Sequence, residues 1–310
     1  MELSKMSLAV QFSEYGTSEV LRVVDVPAPV PGSGQVRLAV RAAGVNPLDW
    51  RIMEGFMRQM MPIDLPAGLG SDIAGVVDQV GEGVTAFAVG DEVLGTPLTP
   101  AYAQSAVADA AELVAKPAGL PWEVAGALAG SGGAAWTVLE RLKVIQGETL
   151  LIHAASGGVG VFAAQLAVAR GARVIGTASQ DNHERLRSLG VIPVAYGEGL
   201  ADRVRAIAPE GVDAVLDASG RGEIPVSIDL AGGPGRVLTL VAFDAGDLGV
   251  QVYTEGTGGN AVRALHDILA LIGEGCLQVP IWRTYPLAEA AVALDLSRTG
   301  HVGGKIVLLP

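Results

Sequence analysis

The chain predicts a two-part α/β fold: a β-rich domain joined to a doubly wound parallel sheet with helices on both faces. Three observations carry this. Residues 6 to 118 read as short strands separated by glycine-rich turns. Residues 119 to 250 alternate strand and helix, the pattern of a parallel sheet. Residues 150 to 179, LLIHAASGGVGVFAAQLAVARGARVIGTAS, run from an apolar strand through a small-residue turn into a helix and a second strand. At 310 residues and 50% hydrophobic, the chain can bury a large core and suits two domains better than one.

In the N-terminal part, the turn Pro31-Gly32-Ser33-Gly34 precedes a stretch of period two, Val36 to Ala42. Gly75 to Gly81 and Asp91 to Leu94 read alike, and together they suggest a barrel-like arrangement. Beyond them, strands are predicted at 149–153, 173–178, 191–195, 212–217 and 235–241, with helices between. The first of these helices carries Phe162, Leu166 and Ala169 on an apolar pattern and stops at Gly171. Residues 260 to 273 read as a further helix, and Gly303 to Leu309 as a final strand.

Composition narrows the function. Net charge is −12 with no basic cluster, so nucleic acid and anionic membrane are poor partners. The start, MELSKMSLAVQF, lacks a signal peptide's long apolar stretch, and no apolar segment reads as a membrane span. A single cysteine, Cys276, excludes an internal disulfide framework and fits a reducing cytoplasm.

The most informative segment is the turn Ala154-Ala155-Ser156-Gly157-Gly158-Val159-Gly160. Between a buried strand and a helix, glycines let backbone amides approach a dinucleotide pyrophosphate, and the helix N-terminus adds its positive end. The general fingerprint would put glycine at 155, where Ala155 stands, and a ligand-free strand-to-helix turn can have the same composition. An NAD site usually places an acid about 20 residues past the first glycine. Here that count reaches Thr177-Ala178-Ser179, with Arg185 and Arg187 downstream. A hydroxyl and a guanidinium suit the 2′-phosphate of NADPH, whereas Asp181 would oppose it, and both arginines would also suit a solvated helix face.

Several motifs occur in order: Gly44-Val45-Asn46-Pro47-Leu48-Asp49, Gly70-Ser71-Asp72-Ile73-Ala74-Gly75, Val89-Gly90-Asp91-Glu92-Val93, the turn at 153–160 and Gly303-Gly304-Lys305-Ile306-Val307-Leu308. As a set spanning nearly the whole chain, they resemble the zinc-independent medium-chain dehydrogenase/reductases of the quinone oxidoreductase type. The resemblance implies a GroES-like catalytic domain from residues 1–119 and 260–310, and a Rossmann NADP-binding domain from 120–259. It also implies NADPH as cofactor, a homodimer joined along the Rossmann sheet edges, and hydride transfer to a quinone or activated alkene.

Zinc enzymes of the same superfamily need a cysteine where Asn46 stands and a His-Glu pair near Gly70-Ser71. One cysteine cannot supply such sites, and His153, His183, His266 and His301 are too scattered to form a ligand set, so no metal is expected. Hydride transfer then needs the acceptor oxygen stabilised as charge develops on it. By resemblance Asn46 is the donor and Lys305 lies near the cofactor; Asp49 is a second candidate catalytic position or the residue that orders the loop. Asp49 has a structural alternative, as N-cap of a helix starting at Trp50. The cofactor set expected is Ala155, Ser156, Gly157, Gly158, Val159, Gly160, Ser179, Arg185, Tyr196, Val241, Phe243 and Lys305.

Two departures bear on substrate. Related enzymes carry tyrosines after the Asn-Pro-x-Asp motif, whereas Trp50 to Met57 has none. The family's Gly-Leu-Thr-Ala-Trp reads Gly132-Gly133-Ala134-Ala135-Trp136 here, without the threonine. Trp50, Phe56, Met57, Met60, Met61 and Tyr102 are therefore assigned to a pocket for a larger, flat, apolar substrate; the alternative is a loop packed on its own core. Three functions fit: a metal-free NADPH-dependent quinone or enone reductase, an enoyl reductase of secondary metabolism with water or Tyr102 as proton source, or a catalytically weak NADPH-binding interaction protein.

Overall fold

The computed structural model describes residues 6–254, 259–300 and 302–310. His301 and the first five residues, both read above, lie outside them. The chain divides into two compact units: Met1–Gly130 with Ala261–Leu269 and Val279–Pro310, and Ser131–Asn260 with Ala270–Gln278. This division differs from a seam at 119/120. Residues after 119 stay with the first unit because Trp122 and Ala127 pack on Ala42 and Val307.

The first unit contains β1 (Met6–Phe12), β2 (Arg22–Pro27), β3 (Gln35–Val45), α1 (Pro47–Met53), β4 (Ala67–Gly68), β5 (Ile73–Val80), β6 (Glu92–Gly95), β7 (Ser105–Asp109), β8 (Leu113–Ala115) and α2 (Trp122–Ala125). The period-two stretch is the heart of β3, where Val36, Leu38 and Val40 are buried. β3 pairs with β5 and β7, both antiparallel.

The second unit begins within α3 (Ala129–Leu142). It continues through β9 (Thr149–His153), α4 (Gly158–Ala169), β10 (Arg173–Thr177), α5 (His183–Ser188), β11 (Ile192–Val194), α6 (Leu200–Arg205), β12 (Ala214–Asp217), α7 (Ile224–Leu230), β13 (Val237–Thr239) and β14 (Gln251–Val252). The strands form one six-stranded sheet in the order β11-β10-β9-β12-β13-β14, every neighbouring pair parallel. Leu151, Ile175, Val215 and Val237 on the sheet pack with Leu200, Val204, Ile224 and Leu230 from the helices. Gly171, at φ +79°, follows the end of α4, as its sequence position suggested.

The predicted helix at 260–273 is α8 (Ala261–Gly273). After it come β15 (Ile281–Pro286), α9 (Ala290–Thr299) and β16 (Lys305–Leu309). The tail joins the first unit: β16 runs parallel to β15 and antiparallel to β3, with Ile306 opposite Val45. Among the described residues, no helix is long and apolar enough to cross a membrane.

Candidate active site

In the first unit, the end of β3 turns into α1 at Asn46. Pro47 takes the first helical position, where its missing N–H has no consequence. Asn46 is the N-cap in extended conformation, and Asp49 is the third helical residue. The alternative for Asp49, an N-cap of a helix at Trp50, is therefore corrected: the helix starts three residues earlier because Pro47 preorganises it. Asp49 instead reaches back, and its Oδ2 accepts the backbone N–H of Asn46 at 2.7 Å. The same oxygen accepts the hydroxyl of Tyr102 at 2.8 Å. Burial pushes the Asp49 carboxyl from 3.8 up to about 6, against the lowering effect of these hydrogen bonds.

The Asn46 side chain points the other way. Its Nδ2 donates to Asp72 Oδ2 at 3.1 Å, and its Oδ1 accepts from Lys305 Nζ at 2.6 Å. Lys305 Nζ lies 3.6 Å from Asp72 Oδ2, and Asp72 Oδ1 accepts the backbone N–H of Gly130. Asn46, Asp49, Asp72 and Lys305 are all buried. Burial draws the Lys305 ammonium below its ordinary value, opposed by the charges of Asp72 and Asp49. Gly44 makes the packing possible, because a Cβ there would lie 2.6 Å from the Gly126 carbonyl and 2.7 Å from Asp72 Oδ2.

The residues assigned to a substrate pocket separate. Phe56, Met60 and Met61 are 70%, 47% and 42% exposed, whereas Met57 is buried. Trp50 is half-buried, edge-on to Phe56 with ring centroids 6.1 Å apart. Tyr102 contradicts its assignment: it has no exposed surface, sits in the core of the first unit, and its hydroxyl already donates to Asp49. It neither lines a pocket nor offers a proton to a substrate in this structure.

In the second unit, Ala154 holds φ +55°, an uncommon conformation for a residue with a side chain. Two bonds from β10 pin it: Ala154 N–H to Thr177 Oγ1 at 3.1 Å and Ala155 N–H to the Thr177 carbonyl at 3.0 Å. The Thr177 hydroxyl therefore supports the turn. The glycines have different tasks. A Cβ at Gly157 would meet only the Ala154 carbonyl, at 3.2 Å, so the protein itself has room there. At Gly160 a Cβ would run into that carbonyl and lie 2.9 Å from Ala155 Cα, so this glycine seats α4 against the strand end. Ala155 is fully buried, facing Gly176, while Ser156, Gly157, Gly158 and Val159 are half-buried around the first turn of α4.

Ser179 lies two residues past β10, half-buried, and accepts from Asn182 Nδ2 at 3.0 Å. Arg185 is half-buried on α5, whereas Asp181 is exposed. Tyr196 lies two residues past β11, and Val241 and Phe243 just past β13. Because every strand is parallel, all these positions fall on one edge of the sheet, the edge where such folds bind ligands. Lys305 alone of the cofactor set belongs to the first unit.

Sequence reasoning missed Arg221. Its guanidinium stacks 4.7 Å from the Tyr196 ring centroid. Both border a cavity of about 530 Å³ shared with Leu200, Glu223 and Val226. The available signal was an arginine directly after Ser219-Gly220 at the end of the fourth parallel strand. His153 is a packing residue: Ser227 donates to the Glu223 carbonyl at 2.7 Å, so its oxygen accepts from His153 Nε2 at 2.9 Å. Among the described residues, no three His, Cys, Asp or Glu side chains are grouped to hold a metal ion.

Comparison with known proteins places this geometry. Residues 32–145 match the alcohol dehydrogenase GroES-like domain, and residues 189–308 match a profile described as zinc-binding dehydrogenase. A quinone oxidoreductase of Pseudomonas aeruginosa is 34% identical, covering 98% of this chain and 100% of its own. A solved structure of the mycobacterial protein Rv1454c complexed with NADPH is 30% identical with a TM-score of 0.87, covering 99% of this chain and 100% of that one. The pikromycin polyketide synthase component PikAII of Streptomyces venezuelae is 34% identical over 91% of this chain, but the match spans only 8% of that protein.

Proposed function

The chain belongs to the quinone oxidoreductase family of medium-chain dehydrogenase/reductases, and from that premise we propose that it reduces a quinone or an α,β-unsaturated carbonyl with NADPH. The observation that carries the reading is the Ala154–Gly160 turn, seated at the end of the first parallel strand and opening α4. Its half-buried amides suit a pyrophosphate, and Gly157 leaves space where a larger residue would stand in the way.

The residues present fit NADPH. None of Thr177, Ala178 and Ser179 at the end of β10 is an acid, where an NAD site would carry one, and Asp181 beyond them is exposed. The Ser179 hydroxyl and the Arg221 guanidinium are assigned to the 2′-phosphate and adenine end, with Tyr196 as a flat wall of the cavity. When bound, NADPH supplies the hydride. Asn46 is assigned as donor to the acceptor oxygen, which gains negative charge as the quinone or enone is reduced. Asp49 orders the loop that presents Asn46 and does not itself touch substrate. The residues do not fit zinc: Asn46 stands at the cysteine position, and Cys276 is exposed and isolated from any ligand group among the described residues. The reading includes a cytoplasmic homodimer joined along the edges of the parallel sheet.

Exposed Phe56, Met60 and Met61, together with the partial likeness to a polyketide synthase, favour a second reading as an enoyl reductase. Steady NADPH oxidation with matched panels of quinones and enones tests both. Turnover on quinones, with or without enones, supports the first reading, and turnover confined to enones supports the second, a dedicated enoyl reductase. NADPH binding without turnover on either panel would overturn both in favour of an interaction protein.

A further inference from the structure

We infer that Lys305 is a positioning residue for Asn46, fixing which face of the Asn46 amide is presented as donor. The inference rests on the proposed donor role of Asn46. It starts from strand register. β16 is antiparallel to β3 with Ile306 opposite Val45, so Lys305, just before Ile306, is brought beside Asn46, just after Val45. On the other side of β3, β5 pairs Ala74 with Ala42, which brings Asp72, two residues before Ala74, to the same strand end. Three segments distant in sequence therefore converge on one amide.

An amide has two similar ends with opposite hydrogen-bonding character. In the observed orientation Oδ1 accepts from the ammonium at 2.6 Å and Nδ2 donates to the carboxylate at 3.1 Å. A flip would set the amide N–H groups against an ammonium and its carbonyl oxygen against a carboxylate. With Asn46 and Asp72 buried beside it and Lys305 itself only 3% exposed, water does little to relieve either mismatch. The cation and anion thus act as a pair of stops that leave one orientation. Removing the cation alone takes away one of the two stops and unbalances a buried charge.

The test measures turnover, substrate KM and NADPH affinity for Lys305→Met and Lys305→Gln, each in the parent and in an Asn46→Ala background. In the parent, Lys305→Met is expected to lower turnover about tenfold to a hundredfold, the equivalent of one hydrogen bond to a charged group. Lys305→Gln, which keeps a donor toward Oδ1, should recover part of the lost turnover. In the Asn46→Ala background, Lys305→Met should add nothing, because the group it orients is gone. If Lys305→Met does not fold, Asp72→Asn with Lys305→Met removes both charges together and faces the same comparison. An undiminished turnover in folded Lys305→Met overturns the inference, as does an equal loss in the Asn46→Ala background. If Asn46→Ala itself turns over like the parent, the donor role fails first and this inference falls with it.

Discussion

Replacing Asp49 by Asn isolates one buried ionisation and its effect on stability. Oδ2 of Asp49 accepts two hydrogen bonds, from the Asn46 backbone and the Tyr102 hydroxyl. An asparagine oxygen can accept both, so Asp49→Asn keeps the local geometry and removes only the titration. In the folded protein burial pushes the carboxyl from 3.8 up to about 6. Between those values the folded state binds more protons than the unfolded state. Stability from this group is therefore greatest in acid and is lost as pH rises through about 6. The size of the shift corresponds to about 3 kcal/mol. Denaturant unfolding of both proteins, at a series of pH values from about 7 down to about 4, reads the difference directly. Parent and variant share their other titrating groups, so the difference cancels those that do not feel the Asp49 charge, as Lys305 and Tyr102 do. The parent is expected to gain on Asp49→Asn by about 2 kcal/mol across that range, most of the full shift. A difference that stays flat, or that moves the other way, would refute the argument that desolvation governs this site.

The phosphate turn separates two kinds of glycine. Gly160→Ala should destabilise the protein by roughly 1–3 kcal/mol or more through overpacking, read as a fall in melting temperature. Gly157→Val should keep the fold by circular dichroism and lose NADPH binding; unchanged affinity there would sink the assignment of the turn. Ser179→Asp is expected to repel the 2′-phosphate and shift preference toward NADH, and equal affinity of the parent for both nucleotides would contradict the cofactor choice. Prolonged chelation should leave turnover intact and metal analysis should find no stoichiometric zinc, so activity lost on chelation and restored by zinc would overturn the metal-free reading.

The parallel sheet was legible because β9, β10 and β12 are nearly continuous apolar runs bounded by turns, the signature of strands covered on both faces. β14 was not: it is two residues, Gln251 and Val252, too short for any period to show. The division between units fell later than expected because it lies inside α3, whose start, Ala129-Gly130-Ser131-Gly132-Gly133, carries no change of composition to mark it. Within the site, Asn46 and the turn could be found because each is a local motif. The junction of Asn46, Asp72 and Lys305 could not, since it exists only through the register of β3, β5 and β16. Tyr102 was misassigned for a related reason: it stood in for the tyrosines missing after the Asn-Pro-x-Asp motif, and only tertiary packing shows its hydroxyl committed to Asp49.

The central claim is that Asn46 stabilises the acceptor oxygen while NADPH is held by the turn of the second unit. Turnover and NADPH affinity of Asn46→Ala, measured on the folded fraction, test it most directly. Melting temperature alone would not, because this amide also bridges Asp72 and Lys305, and its loss should destabilise the protein whatever its chemical role. Loss of one such donor is expected to lower turnover roughly 100- to 1,000-fold, with NADPH bound as tightly as by the parent. Parental turnover in a folded, NADPH-binding Asn46→Ala protein would contradict the account.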